Sequence, residues 1–370
     1  MAVFCGLSLF LPNAVHAQTP SFDQLAAEAQ ANVDSNPALA ADSFQKALQL
    51  RPSWGIGWLY FGGALYQLQR YDSALEAFDK GIALTPPMGR SWAFRGLCEF
   101  ELKHFDQALE NFEKGEGLGL GPNHGFEAAV REHAALIFIR SSMFDAAMRQ
   151  LEPLSQFGEN SPQVVQIAGL CALTLPLWPD ELSGAQRPVV ELAGRALWAA
   201  NSRRASEAVA AYQELLAAYP HQAGVHYAYG LYLLESDQGT ALREFKEELL
   251  ANPSHWPSLL AAAGLENENG DAQLALESAR SALKFAPPSY LWLCHSEEGR
   301  AFLAMHEPAK AIPEFEAALQ TAPSNPQMHF YLEQAYRLSG RKEDALKQKA
   351  EFIRLKSQQD PAVLASRSAN

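Results

Sequence analysis

The stretch WLYFGGALYQLQRYDSALEAFDKGIALTPP, residues 58–87, decides how the chain folds. Shifted by 34 residues, it falls on its neighbour with Trp58 on Trp92, Gly62 on Gly96 and Tyr71 on Phe105. The same shift places Ala74 on Ala108, Phe78 on Phe112, Lys80 on Lys114 and Gly81 on Gly115. Two antiparallel helices explain the agreement. Close packing needs a small residue where one backbone approaches the other, and Gly62 and Ala74 supply it. Trp58, Leu65 and Phe78 fill the space beside them. A Pro after the second helix cannot extend it, so the chain turns into the next hairpin.

With this period and these residue types, the stretch resembles the tetratricopeptide repeat, whose pattern runs Trp-x-x-Leu-Gly-x-x-Tyr, then Ala-x-x-x-Phe, then Pro. Trp58, Phe61, Gly62, Leu65, Ala74, Phe78 and Pro86 occupy those places, with Phe61 and Leu65 as apolar substitutes. The second-helix signal continues in both directions: Ala40 with Phe44, then Ala147 with Leu151, Ala208 with Tyr212 and Ala241 with Phe245. Ala275 with Ala279, Ala311 with Phe315 and Ala345 with Lys349 complete it, and Pro52, Pro220, Pro253, Pro287 and Pro323 close individual units.

The spacing breaks between Ala147 and Ala208. There, residues 161–175 read as one more apolar helix, and PLWPDELSGAQRP (176–188) reads as a loop or short turns in place of its partner. GEGLGLGPNHG (115–125) reads as a stretched helix-ending turn. The expected fold is therefore all-α: a right-handed superhelical solenoid of eight or nine hairpins over residues 21–357, one of them degenerate. A charged final helix near 343–357 is expected to act as a solvating cap, and 358–370 to be a disordered tail.

Hydrophobic residues make up 48% and charged residues 19%, enough apolar surface to bury a large core. The formal net charge of −13 argues against a duplex nucleic-acid binder, which needs Lys and Arg against phosphates, and against anionic membrane surfaces. A local exception is Arg341, Lys342, Lys347, Lys349, Arg354 and Lys356, set against Glu343, Asp344 and Glu351, which reads as a solvated helix face. No stretch has the length and apolarity of a membrane span.

Residues 1–17, MAVFCGLSLFLPNAVHA, carry no Asp, Glu, Lys or Arg, and Val15 and Ala17 are small residues placed as before a signal-peptidase cut. The expectation is an export signal cleaved after Ala17 and a periplasmic or secreted protein. The segment lacks a basic start, so either a basic stretch lies upstream of Met1 or the segment is a buried apolar arm, and the protein is cytoplasmic if the segment is not a signal. Cys5 would leave with the signal, and Cys98, Cys171 and Cys294 are widely spaced without any Cys-x-x-Cys, which reads as three buried thiols.

No catalytic or metal site is read. There is no His-Glu-x-x-His and no Gly-x-Ser-x-Gly, and the glycines at 115–125 lack the strand and the Lys-Ser/Thr pair of a phosphate loop. Cys294 and His295 are neighbours, so on a helix they diverge by about 100° and do not converge on one ion. His295 also takes the Trp place of its repeat. No cofactor is implied.

In the family that the chain resembles, the first helix of each repeat lines a concave groove. That resemblance points to Leu59, Tyr66 and Gln67, then Arg90, Leu97, Phe100 and Glu101, then Tyr227, Leu231 and Glu235. It adds Arg300, Gln327, Gln334 and Arg337 toward the C-terminus. Tyr66, Leu97 and Phe100 are expected off the core stripe as partner anchors. Leu59 with Gly63 and Ala93 with Leu97 stand where a family subset carries the Lys and Asn that grip a C-terminal carboxylate, so that clamp is missing. The expected function is a non-catalytic scaffold binding a protein or peptide segment in the groove. An enzyme or enzyme subunit of the cell envelope, and a carbohydrate or small-ligand binder using groove aromatics, stay open as alternatives.

Overall fold

A computed structural model describes residues 20–156, 158 and 160–358. The expected export segment at 1–17 and the tail from 359 lie outside the described residues, whereas Gln358 closes the last helix. Nineteen α-helices and two short 3₁₀ turns make up the described residues, with no strand among them. The chain divides into two compact units at Ala134/Ala135.

The first unit holds α1 (Phe22–Asn32), α2 (Pro37–Leu50), α3 (Gly55–Gln67), α4 (Tyr71–Leu84), α5 (Gly89–Glu101) and α6 (Phe105–Leu118). It also holds the start of α7 (His124–Arg140). Helices α1 and α2, α3 and α4, and α5 and α6 pack as hairpins, and each hairpin packs on the next. The second unit continues with α8 (Phe144–Gln156), α9 (Pro162–Ala172), α10 (Gln186–Asn201) and α11 (Ala205–Ala218). Then follow α12 (Val225–Leu233), α13 (Gln238–Ala251), α14 (Trp256–Asn269), α15 (Ala272–Leu283), α16 (Leu291–Ala304), α17 (Pro308–Thr321), α18 (Pro326–Leu338) and α19 (Lys342–Gln358). From α12 onward these again pair in order, and α10 packs on both α9 and α11. The fold is the all-α hairpin solenoid that the repeat implies.

The repeat positions do the packing that the sequence assigns to them. A Cβ on Gly62 would meet the Phe78 ring at 3.0 Å, and one on Gly96, Gly230 or Gly299 would meet Phe112, Phe245 or Phe315 closer still. Each of these four second-helix aromatics thus packs directly on the glycine of the first helix. At the repeat's first large position, the Trp58 indole N–H donates to the Pro52 carbonyl at 2.8 Å, tying a helix to the proline turn before it. Where His226 and His329 stand at that place, the ring keeps the bond: Nε2 of His226 to Pro220 at 2.9 Å and of His329 to Pro323 at 3.1 Å. This is why imidazole substitutes for indole here: it is the other aromatic ring with an N–H donor.

Within the hairpins the turn uses a left-handed residue. Gln69, Lys103, Ser142, Thr174, Arg203 and His306 have φ between 51° and 65°, and Gly270 and Gly340 take the same place. After each, a backbone N–H bonds back across the helix end, as in Arg70 to Leu65 and His104 to Glu99. That bond satisfies a carbonyl which the helix leaves open.

Both sequence irregularities are ordered. Helix α6 runs through Gly115 and Gly117 to Leu118, and Gly119 and Gly121 turn the chain with φ of 86° and 83°. Gly115 is there for closeness, because its Cβ would meet the Gly89 carbonyl at 2.9 Å. In 176–188 the chain makes a 3₁₀ turn at Pro179–Glu181, and α10 begins at Gln186, so the last three residues of that stretch are helical. Arg140 holds the loop by donating to the Pro176 carbonyl at 2.8 Å and to Glu181 at 3.2 Å.

Candidate binding groove

In the first unit, the face made by the first helices α3 and α5 carries an open cavity of about 450 Å³. Helix α3 contributes Ile56, Leu59, Tyr60, Gly63 and Gln67; α5 and its approach contribute Met88, Arg90, Ser91 and Phe94. Val33 and Asp34, after α1, close the third side, and the Phe78 ring lies at the base. Gly63 keeps the trough open, because nothing lies within 4 Å of a Cβ built on it.

The walls are apolar and uncovered. Ile56 is 41% and Tyr60 46% exposed, while the Tyr60 ring stacks on Phe44 at 6.1 Å, which fixes its orientation. One lip carries Arg90, whose guanidinium lies over Phe126 at 4.8 Å and Phe94 at 5.8 Å. Among the described residues Arg90 has no ion-pair partner, so its charge faces solvent, as does that of Asp34 on the opposite lip. A larger cleft, about 710 Å³, lies between the second helices α2 and α4. It is the furrow that stacked hairpins leave, lined by the sides of core residues such as Phe61 and Leu65, and it presents fewer apolar groups to solvent.

Of the residues that the sequence placed in a groove, Leu59, Gln67 and Arg90 come together in this cavity. Tyr66 does not. It is half-buried beside Tyr71 and Phe94, at ring distances of 5.6 and 6.1 Å, and burial raises its phenol pKa well above the ordinary value. Leu97, expected off the core stripe, is a core residue at 4% exposure. Phe100 is packed edge-on against His133 at 4.5 Å and against Phe105 at 5.7 Å. The physical reason is α7: after the stretched turn its Phe126 and His133 come down on Phe94 and Phe100 and cover this end of α5. Glu101 stays exposed.

In the second unit, Tyr227 and Leu231 line a smaller pocket of about 200 Å³ together with Phe144, Tyr212 and Tyr232. Tyr227 is mostly enclosed, edge-on to His255 at 4.9 Å. Arg300 is held by both oxygens of Glu297 at 2.8 and 2.9 Å and lies over Tyr331, so its donors are largely engaged within the chain. Gln334 is half-buried, Arg337 is exposed beside Glu333 at 3.5 Å, and Glu235 and Gln327 are exposed. These residues form no single site with one another.

Reasoning from sequence missed Ile56 and Tyr60. Ile56 was recoverable: with Trp58 as the fourth residue of the repeat, Ile56 is the second, a groove position in the family. Tyr60 carries no such signal. The buried thiols are poor nucleophiles, since burial pushes Cys98 and Cys294 up to about 12. His295 points away from Cys294, to Glu314 of α17 at 2.8 Å, and the Glu314 hydrogen bond raises its pKa. Among the described residues, no group of three His, Cys, Asp or Glu could hold a metal ion. No helix of the described residues is long and apolar enough to cross a membrane.

The tetratricopeptide-repeat family model matches residues 33–89, 61–123 and 296–359. Among solved structures, a crystal structure of the MamA protein is 14% identical, with a TM-score of 0.42, over 47% of this chain and 94% of that one. The Cut9–Hcn1 hetero-tetramer of the APC/C is also 14% identical, with a TM-score of 0.36, over 92% of this chain and 80% of that one. No curated protein matches the sequence.

Proposed function

The chain is a tetratricopeptide-repeat protein, and from that premise we propose that it is a non-catalytic scaffold that binds a protein segment in the α3–α5 groove. One observation carries this reading: Ile56 and Tyr60 stand exposed on a trough whose lip holds the unpaired Arg90. Other large groups nearby, such as Phe78, Phe94 and Phe100, are packed against neighbours. A rigid trough of this kind spares the scaffold most of the ordering cost of binding, and the segment bears its own. The segment that fits places an apolar side chain against Ile56 and Tyr60 and a carboxylate at Arg90. We further propose that the protein acts outside the cytoplasm, after cleavage following Ala17, on the strength of the uncharged apolar start.

The test is a photocrosslinking amino acid placed at Tyr60 in cells of the native host, with a second at Glu76 on the outer side of α4. Crosslinks to one protein from Tyr60, lost when Ile56→Ala and Arg90→Ala are added, are the expected result. An aromatic anchor of this sort is worth about 2 kcal/mol, roughly thirtyfold in affinity. Crosslinks from Glu76 alone would move the site to the outer face. N-terminal sequencing of the protein from the same cells should begin at Gln18, and an intact Met1 in the cytosol would remove the export proposal.

A further inference from the structure

The last helix, expected as a charged solvating cap, also carries exposed apolar residues. In α17, Ile312, Phe315 and Leu319 share one apolar cluster with Met328, Leu332 and Tyr331 of α18. Ile312 is only 7% exposed there, and the Phe315 and Tyr331 rings stack at 5.5 Å. A shift of 34 residues carries these three positions to Leu346, Lys349 and Ile353 of α19. No described helix follows α19. Leu346 is 67% and Ile353 55% exposed, so the apolar pair that a next helix would cover stands open.

The change at the middle position says what kind of helix would fit. Phe315 is replaced by Lys349, and Lys342 and Lys356 recur seven residues to either side, on the same helix face. Among the described residues none of these three lysines forms an ion pair. Arg341, Lys347 and Arg354, around the helix, are paired with Asp344 or Glu351. Lys356 lies over its own neighbour, the Phe352 ring, at 5.5 Å. The result is a row Lys342, Leu346, Lys349, Ile353, Lys356: two apolar contacts among three uncompensated cations, on a chain whose net charge is −13.

We propose that this face of α19 is a second docking site, and that its occupant is an acidic amphipathic helix of another protein. It would lie on α19 as α18 lies on α17, with a carboxylate over Lys349. Charge complementarity decides among the occupants. A second copy using the same face would oppose Lys349 to Lys349 and the outer lysines to one another, which like-charge repulsion disfavours. An anionic bilayer would meet the lysines but bury only two side chains, where a helix packs along the whole row. The site is separate from the α3–α5 groove, and its failure would leave that reading untouched.

The probe is a fluorescent, hydrocarbon-stapled peptide with the α18 sequence carrying Tyr331→Glu, titrated onto the full chain and followed by anisotropy. It should bind at least tenfold more tightly than the unsubstituted peptide. Lys349→Glu in the chain should reverse that preference, and a Tyr331→Lys peptide should then regain the affinity, with the helical circular dichroism unchanged. No binding of the acidic peptide, or binding indifferent to Lys349→Glu, would overturn the proposal. So would a dimer in light scattering that Leu346→Asp dissociates, which would assign the face to a second copy. Sedimentation with phosphatidylglycerol vesicles that the peptide does not compete would assign it to a membrane. A tenfold gain in peptide binding on deleting 359–370 would assign it to the chain's own tail.

Discussion

Gly62 and Gly63 are adjacent in α3 and have opposite surroundings. A Cβ on Gly62 would meet three atoms of the Phe78 ring at 3.0 Å, whereas nothing lies within 4 Å of one on Gly63. The Phe78 ring has little room to give, because it stacks on Phe94 at 5.7 Å. Gly62→Leu should therefore cost about 1–3 kcal/mol by overpacking. Gly63→Leu should leave the unfolding free energy in urea within about 0.5 kcal/mol of the parent while filling the groove. Equal losses from the two would put the helix in another register. The same logic reassigns Tyr66 and Phe100: each sits in an aromatic contact of the core, so trimming either lowers stability, and Tyr60 is the aromatic to trim when binding is the question.

At the scale of elements, the end of α9 is tied to the start of α14 through one imidazole. Nε2 of His255 lies 2.8 Å from the Thr174 hydroxyl, and Nδ1 lies 2.8 Å from Ser258. Burial lowers the His255 pKa to about 4, so it is neutral in the folded protein at pH 7. The unfolded chain has an ordinary histidine there and takes up its proton first as pH falls. Between about 6.5 and 4 the unfolded state thus binds more protons, and stability rises with pH across that window. Below it, the loss from this group is complete, about 3 kcal/mol for a shift of this size. Urea unfolding at pH 7 and pH 4.5 should show the loss, and His255→Gln should flatten the difference by a comparable amount. An identical slope in parent and variant would mean that acid lability comes from other groups.

For the whole molecule, the consequence of a repeat array is locality. Helices contact mainly those before and after them in the chain, so stability approximates a sum of hairpin and neighbour contributions. A perturbation in one hairpin should then stay near it. Hydrogen exchange read by mass spectrometry should find amides of α3–α6 faster in Gly62→Leu, with α16–α19 as protected as in the parent. Uniform loss of protection would mean that the array unfolds as one cooperative body.

The sequence by itself determined the hairpin and its period. Contacts inside a hairpin join residues close in the chain, so Gly62 opposite Phe78 and Pro after the second helix are written as a 34-residue pattern. It also marked Cys98, Cys171 and Cys294 as buried, because apolar helix positions carry a packing demand. Only the tertiary structure decided which first-helix residues stay open. Whether Phe100 meets solvent depends on what lies over α5, and that is α7, delivered by an irregular turn at 119–123 whose course no repeat position encodes. The same holds at the other end. Leu346 stands where α17 has the buried Ile312 and Ile353 where it has the partly buried Leu319, and both are exposed in α19, which no described helix follows, because burial there is conferred by a neighbouring helix, not by the residues themselves.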